Sequence, residues 1–191
     1  MDDPECLRLL IDYGADINWQ DCHQRTAVGY AAKMNRIANL RFLLKIGANY
    51  SIPDHWGHTP HIEATYQNHH AALKVLLAKD PLLLPSRLAD GGMVSHIAAA
   101  HADAKTFHLL ADKADLSLIG FDDIDNDERS FQDVFEARDV TTEELQMAFK
   151  RFCLEVMKEN PCTDLTHPVE DSEEEFIDAL EQQVSGSSAT S

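Results

Sequence analysis

The sequence predicts an all-α repeat solenoid, and three observations carry that expectation. Gly14-Ala15-Asp16-Ile17-Asn18 returns 33 residues later as Gly47-Ala48-Asn49-Tyr50-Ser51, and the same step reaches Asp80 and then Lys113-Ala114-Asp115-Leu116-Ser117. The apolar pairs upstream keep phase: Leu10-Ile11, Leu43-Leu44, Leu76-Leu77 and Leu109-Leu110. A second landmark, Thr26-Ala27-Val28-Gly29-Tyr30-Ala31, recurs as Thr59-Pro60-His61-Ile62-Glu63-Ala64 and, with a one-residue slip, as Met93-Val94-Ser95-His96-Ile97-Ala98. A fixed period of this length marks stacked supersecondary units. Leu40, Leu43 and Leu44 fall at i, i+3 and i+4, and Leu73, Leu76 and Leu77 repeat that spacing, so each helix carries one apolar stripe. A single unit cannot bury such a stripe; stacked neighbours do.

Taken in order, residues 1–20 are a partial unit, its helix starting with Asp3 as N-cap and Pro4 at the first helical position. Cys6, Leu7, Leu10 and Ile11 then have only the following unit to cover them, which predicts a frayed edge open to self-association. Residues 21–120 hold three units, 21–53, 54–86 and 87–120, the last with a loosened turn between its helices. Gly14 and Gly47 sit just past their helices, where a left-handed backbone ends a helix without a Cβ clash. Residues 121–160 read as a degenerate helical cap. Asp125-Asn126-Asp127-Glu128-Arg129-Ser130-Phe131 echoes a unit opening, and Thr141-Thr142-Glu143-Glu144 predicts a capping box for a last helix. Leu145, Phe149, Phe152 and Val156 give that helix its apolar face, while Glu144, Lys150, Arg151 and Glu155 stay wet. Beyond Asn160 there is no Lys or Arg, and Ser, Glu and Asp dominate, which predicts an acidic disordered tail over residues 161–191.

Asp54-His55-Trp56-Gly57-His58-Thr59-Pro60, with the Gly-Ala-Asp turns, resembles the ankyrin-repeat family and its pattern D-x-x-G-x-T-P-L-H-x-A. The likeness covers residues 4–120 well and 121–160 weakly. Gln24 stands where that pattern has glycine, Gly29 and Ile62 where it has histidine, and Asp80-Pro81 where it has Gly-Ala. The resemblance implies helix pairs with short hairpins, and a concave partner-binding surface made of hairpin tips and the exposed side of the inner helices.

Charge narrows the partner class. Of 191 residues, 16 are Lys or Arg and 33 are Asp or Glu, a net charge of −17; residues 1–120 carry −2 of it and residues 121–191 carry −15. Such a chain repels phosphate backbones and anionic lipid, so direct binding to nucleic acid or membrane is not expected. The acidic start Met1-Asp2-Asp3-Pro4-Glu5 is unlike a signal peptide, and no run approaches the roughly 18 apolar residues of a membrane span. An intracellular protein of the cytoplasm or nucleus is expected, its four cysteines (Cys6, Cys22, Cys153 and Cys162) reduced.

Histidine is the residue type that suggests chemistry, since nine of ten lie between His23 and His108. His55, His58 and His61 have HxxHxxH spacing, but in the repeat register they fall at a hairpin tip, before a helix and in the core, so no metal site is expected; a metal-dependent enzyme built on this cluster is the alternative of a different class. Motifs for nucleophilic catalysis or phosphate cradling are missing, and neither enzyme activity nor a cofactor is expected. The expected function is a non-catalytic adaptor, in the finer reading a transcription coregulator acting through a protein partner, with a cytoplasmic signalling scaffold or inhibitor as the alternative.

Carried over from the resemblance, the partner-binding positions are His23, Arg25, Met34, His55, Trp56, His58, Tyr66, Gln67 and His101, with Cys22, Lys33, Ala89, Asp90, Gly92 and Ala100 beside them. Trp, Tyr, Met and Arg are over-represented at interfaces, and Trp56 stands out because its own unit would cover it poorly; the alternative is that it packs on the neighbouring tip. In the tail, Phe176, Ile177 and Leu180 interleave with acids as activation-type segments do, the alternative being a solubilising tail. Ser172, followed by three acids, is a candidate phosphorylation site.

Overall fold

The computed structural model describes residues 3–81, 88, 91–117, 119–120, 123–139 and 141–159. Nine helices lie among them: α1 (Glu5–Asp12), α2 (Ala27–Lys33), α3 (Ile37–Lys45), α4 (Pro60–Tyr66), α5 (His70–Lys79), α6 (Val94–His101), α7 (Ala104–Lys113), α8 (Phe131–Glu136) and α9 (Glu143–Glu159). An isolated antiparallel bridge pairs Ile124 with Ser130, and Asp115 also has bridge-type backbone pairing. The packing sorts the helices into two rows. An inner row runs α2, α4, α6, α8, and an outer row runs α3, α5, α7, α9, each helix packed on its equivalent in the next unit.

Helix ends follow from residue chemistry. The Thr26 hydroxyl accepts the Gly29 amide at the start of α2, the Asp103 carboxylate accepts the Thr106 amide for α7, and Ser130 with Asp133 forms a reciprocal capping box for α8. Gly14 (φ 88°) and Gly47 (φ 89°) end α1 and α3, with Ala15 donating to the Leu10 carbonyl and Ala48 to that of Leu43. The turns after α2 and α4 use Asn35 (φ 52°) and Asn68 (φ 54°) for the same left-handed step.

Three expectations need correction. Pro4 is the N-cap of α1, and Asp3 acts from one residue further out, its Oδ1 accepting the Glu5 amide at 3.1 Å. Thr142, not Thr141, caps α9: its hydroxyl accepts the Leu145 amide at 3.2 Å, and Thr141 instead accepts from the Gln146 side chain, so the predicted Thr141–Glu144 box does not form. The turn between α6 and α7 is tightened, not loosened. Only Ala102 and Asp103 separate these helices, and Asn68 of the preceding unit holds them, donating to the His101 carbonyl and accepting from the Asp103 amide and Thr106 hydroxyl, each at 2.8 Å.

The core runs along both rows. Leu40, Leu43, Leu73, Leu76 and Leu110 of the outer helices are buried against Val28, Ile62, Ala64, Ala98 and Ala99 of the inner ones. Burying each leucine contributes about 1.5–3 kcal/mol. At the C-terminal end the small residues give way to rings: Phe107 meets Phe149 (5.4 Å), Phe152 (5.5 Å) and Phe135 (6.0 Å), and Phe131 meets Phe149 and Phe152. At the other end α1 buries no residue; Leu9, Leu10 and Tyr13 are exposed, while Leu7 packs against the core.

Candidate functional site

Hairpins at residues 21–25, 54–58 and 125–129, and a further turn closed by the Leu88 amide donating to the Gly92 carbonyl at 2.8 Å, lead into the inner helices. In each of the three hairpins one carboxylate organises the tip. Asp21 accepts the His23 and Arg25 amides (both 2.8 Å), Asp54 those of Trp56 and His58 (both 2.9 Å), and Asp125 those of Asp127 (2.9 Å) and Arg129 (3.0 Å). The tight reversal needs a left-handed residue, supplied by Gln24, Gly57, Gly91 and Glu128. Gln24 thus takes the glycine conformation without being glycine.

The first two tips are joined by a hydrogen bond from the His55 amide to the His23 carbonyl at 3.0 Å. Across that join Trp56 meets three groups. The His23 ring stacks on it (6.0 Å between centroids, 15° between planes), His55 lies edge-on (5.5 Å), and the Arg25 guanidinium sits 4.8 Å from its centroid. Trp56 therefore does lean on the neighbouring tip, yet it stays 41% exposed. It is a large apolar side chain held in place and still facing solvent.

Under this ring lies a charge network that composition and spacing did not reveal. Glu63 of α4 is buried, and its Oε1 meets His58 Nδ1 (3.5 Å), Arg25 Nη2 (3.6 Å) and Lys33 Nζ (3.6 Å). Arg25 Nε also donates to buried Asp54 at 3.2 Å. Burial opposes ionisation of Glu63, but His58, Lys33 and Arg25 together outweigh it and hold the carboxyl below its ordinary range. Tyr30 donates its hydroxyl to Asp21 at 2.7 Å, which lowers the Asp21 pKa and raises that of the phenol. Asp54, His58 and Glu63 offer oxygen and nitrogen atoms within 4.8 Å of one another, and Asp21, Cys22 and His23 offer an oxygen, a sulfur and a nitrogen within the same distance. In the first group Arg25 and Lys33 already neutralise the carboxylates, which disfavours a further cation.

The strip continues along the inner helices. Tyr66 lies 6.1 Å from the His58 ring and 4.4 Å from that of His101, and burial, reinforced by Arg138, lowers the His101 pKa. The structure thus brings His23, Arg25, His55, Trp56, His58, Tyr66 and His101 into one run of contacts. Met34 and Gln67 are exposed at the C-caps of α2 and α4. Ala89, Asp90 and the tail residues Ser172, Phe176, Ile177 and Leu180 lie outside the described residues.

Three further histidines of the described residues have structural partners. His69 Nδ1 lies 3.2 Å from the Ala32 carbonyl, His70 Nε2 2.9 Å from Asp103, and His96 Nε2 3.0 Å from the Arg129 carbonyl. The HxxHxxH residues part company: His55 goes to Trp56, His58 to Glu63, and His61 is buried beside Tyr50. Loss of hydration depresses the His61 pKa, although the Asp80 carboxylate and the Leu76 and Asp80 backbones favour the charged ring. A depressed histidine stabilises the fold above its ordinary value of 6.5 and loses that contribution as pH falls through the lower folded value. Melting temperature is accordingly expected to drop as pH falls below the ordinary value of 6.5, and His61→Leu should flatten the drop. An unchanged slope in the variant would contradict this assignment.

The described cysteines are free: Cys6 and Cys22 are exposed, and the buried Cys153 thiol has its pKa pushed up to about 12 by desolvation. Cys22 Sγ lies 3.3 Å from His23 Nδ1. No described helix is long and apolar enough to cross a membrane.

Comparison with known proteins agrees with the repeat fold. Residues 1–54 match the family model for ankyrin repeats (3 copies). Over 67 residues, 35% of the chain, the sequence is 34% identical to an ankyrin repeat protein of Acanthamoeba polyphaga mimivirus, of which the match spans 9%. Repeats of this type generally mediate protein–protein interaction.

Proposed function

This chain carries ankyrin repeats, and from that premise we propose that it is a non-catalytic adaptor whose protein partner docks along the concave strip from the 21–25 and 54–58 tips to His101. The observation that carries the reading is Trp56, 41% exposed while His23, His55 and Arg25 hold it in place. A pre-positioned aromatic loses little side-chain freedom on binding, and Trp, Tyr and Arg dominate interface hot spots. Tyr66 and His101 extend the same face. Joined to a tail in which Phe176, Ile177 and Leu180 alternate with acids, the array suits a regulatory protein of cytoplasm or nucleus. A transcription coregulator acting through its partner fits a net charge of −17, which opposes direct contact with nucleic acid. The exposed Leu9 and Leu10 of α1, with Tyr13 at its C-cap, support self-association at the N-terminal edge.

Quantitative affinity capture with the intact chain and its Trp56→Ala variant, read by mass spectrometry, tests the docking strip. Partners held by the native chain should bind the variant with a loss of about 2 kcal/mol, roughly thirtyfold, while its melting temperature stays close to the native value. Equal capture by the two chains would overturn the assignment of Trp56 as the anchor.

A further inference from the structure

Past His101 the inner face opens into a shallow cavity of about 430 Å³ between α6 and α8, walled by Ala100, Val134, Ala137, Arg138 and Asp139. Arg138 is held there by its other contacts. Its Nη1 donates to the Ala99 and Ala102 carbonyls at the end of α6 (3.1 and 2.9 Å), and its guanidinium carbon lies 5.7 Å from the Phe135 centroid. Arg25, the half-buried guanidinium at the other end of the strip, meets two carboxylates. Arg138 meets none within ion-pair distance among the described residues, and burial alone depresses its pKa. A half-buried cation fixed at the wall of an open cavity, with no acid of its own, is half of an ion pair.

We propose that this cavity is a subsite for an acidic side chain of the docked partner, with Arg138 taking the carboxylate and Ala100, Val134 and Ala137 taking an adjoining apolar side chain. The proposal rests on the docking surface described above and names the chemistry at its far end. The small residues leave room for an aliphatic group, and a guanidinium matches a carboxylate bidentately. Asp139 in the same wall decides between anions: its charge tolerates a monoanion beside Arg138 but opposes a phosphate dianion, and a neutral His101 adds no second positive charge.

The test is an NMR titration of the full chain with N-acetyl-Leu-Glu-amide, alongside the Leu-Gln and Leu-phosphoserine analogues. The Leu-Glu probe should move the Ala100 and Ala137 amides and the Arg138 side-chain N–H resonance saturably. Binding should weaken roughly tenfold with Leu-Gln or in Arg138→Gln, the loss typical of one charged hydrogen bond. Because Arg138 also caps α6, Asp139→Asn provides a second arm free of that role and should tighten binding of Leu-Glu. Saturable shifts that Leu-Gln produces equally well, tighter binding of the phosphoserine probe, or no saturable shift at the cavity would each overturn the proposal. The probe does not reach Trp56, so its result and that of the Trp56→Ala capture stand or fall separately.

Discussion

Replacing Phe107 with Ala is expected to lower the unfolding free energy by about 3–5 kcal/mol. The side chain is fully buried on α7 and touches the rings of Phe135, Phe149 and Phe152, so it joins α7 to both α8 and α9. Truncation removes the transfer free energy of the ring and leaves a cavity among groups too stiff to collapse into it. Repeat arrays are stabilised unit by unit and at nearest-neighbour interfaces. The loss should therefore appear first as faster amide exchange in α8 and α9, with α2 to α5 protected as before. Urea titration checks the magnitude, and Leu9→Ala, at a position 55% exposed, is the control expected to stay within about 0.5 kcal/mol. A Phe107→Ala loss below about 1 kcal/mol would mean that the ring cluster is not the end of the core.

The second large effect lies under the docking strip. Glu63→Gln should cost about 3 kcal/mol at pH 7, because it leaves the positive charges of Arg25 and Lys33 close together with one acid fewer. The pH dependence separates this from a simple packing change. The depressed Glu63 pKa means that its contribution is fully present above the ordinary value of 4.5 and is lost as pH falls through the lower folded value. Native protein should lose stability across that acid window, and the variant should lose less of it. Parallel slopes for the two proteins in urea titrations at pH 7 and pH 3 would place the stabilising charge elsewhere. Loosening of Arg25 should also free Trp56, so the variant is expected to show altered indole fluorescence at neutral pH.

The difference between what was readable in the chain and what was not follows from how far apart the interacting groups are. Gly14, Gly47 and the paired leucines act within one turn of backbone, and the helices they imply are present, with the expected stripe buried in α3, α5 and α7 and left unburied in α1. Cap positions at Pro4 and Thr142 differ by one residue from expectation: the Asp3 carboxylate reaches only the Glu5 amide, and the Thr141 hydroxyl is engaged by the Gln146 side chain, leaving the Leu145 amide to Thr142. At the tips, the repeat register placed His23, Arg25, Trp56, Tyr66 and His101 on one face, but the contacts of Trp56 with His23 and Arg25 and of Tyr66 with His101 join groups about a repeat apart. Glu63 escaped notice for that reason. A single acid in Pro60-His61-Ile62-Glu63-Ala64 reads as a solvent-facing position, and only stacking brings Arg25 and Lys33 of the preceding unit to it. Arg25 and His58 stand 33 residues apart, at equivalent places in their hairpins, which is the signal that could have located the network. Histidine count misled in the opposite direction: His69, His70 and His96 tie neighbouring units together, and His61 fills the core.

Hydrogen exchange of the intact chain, measured with and without a captured partner, tests the central claim most directly. The account predicts that added protection concentrates at residues 21–25 and 54–58 and along the inner helices α4 and α6, with α3, α5 and α7 unchanged. Protection falling on the outer helices while the Trp56 tip exchanges as before would contradict it.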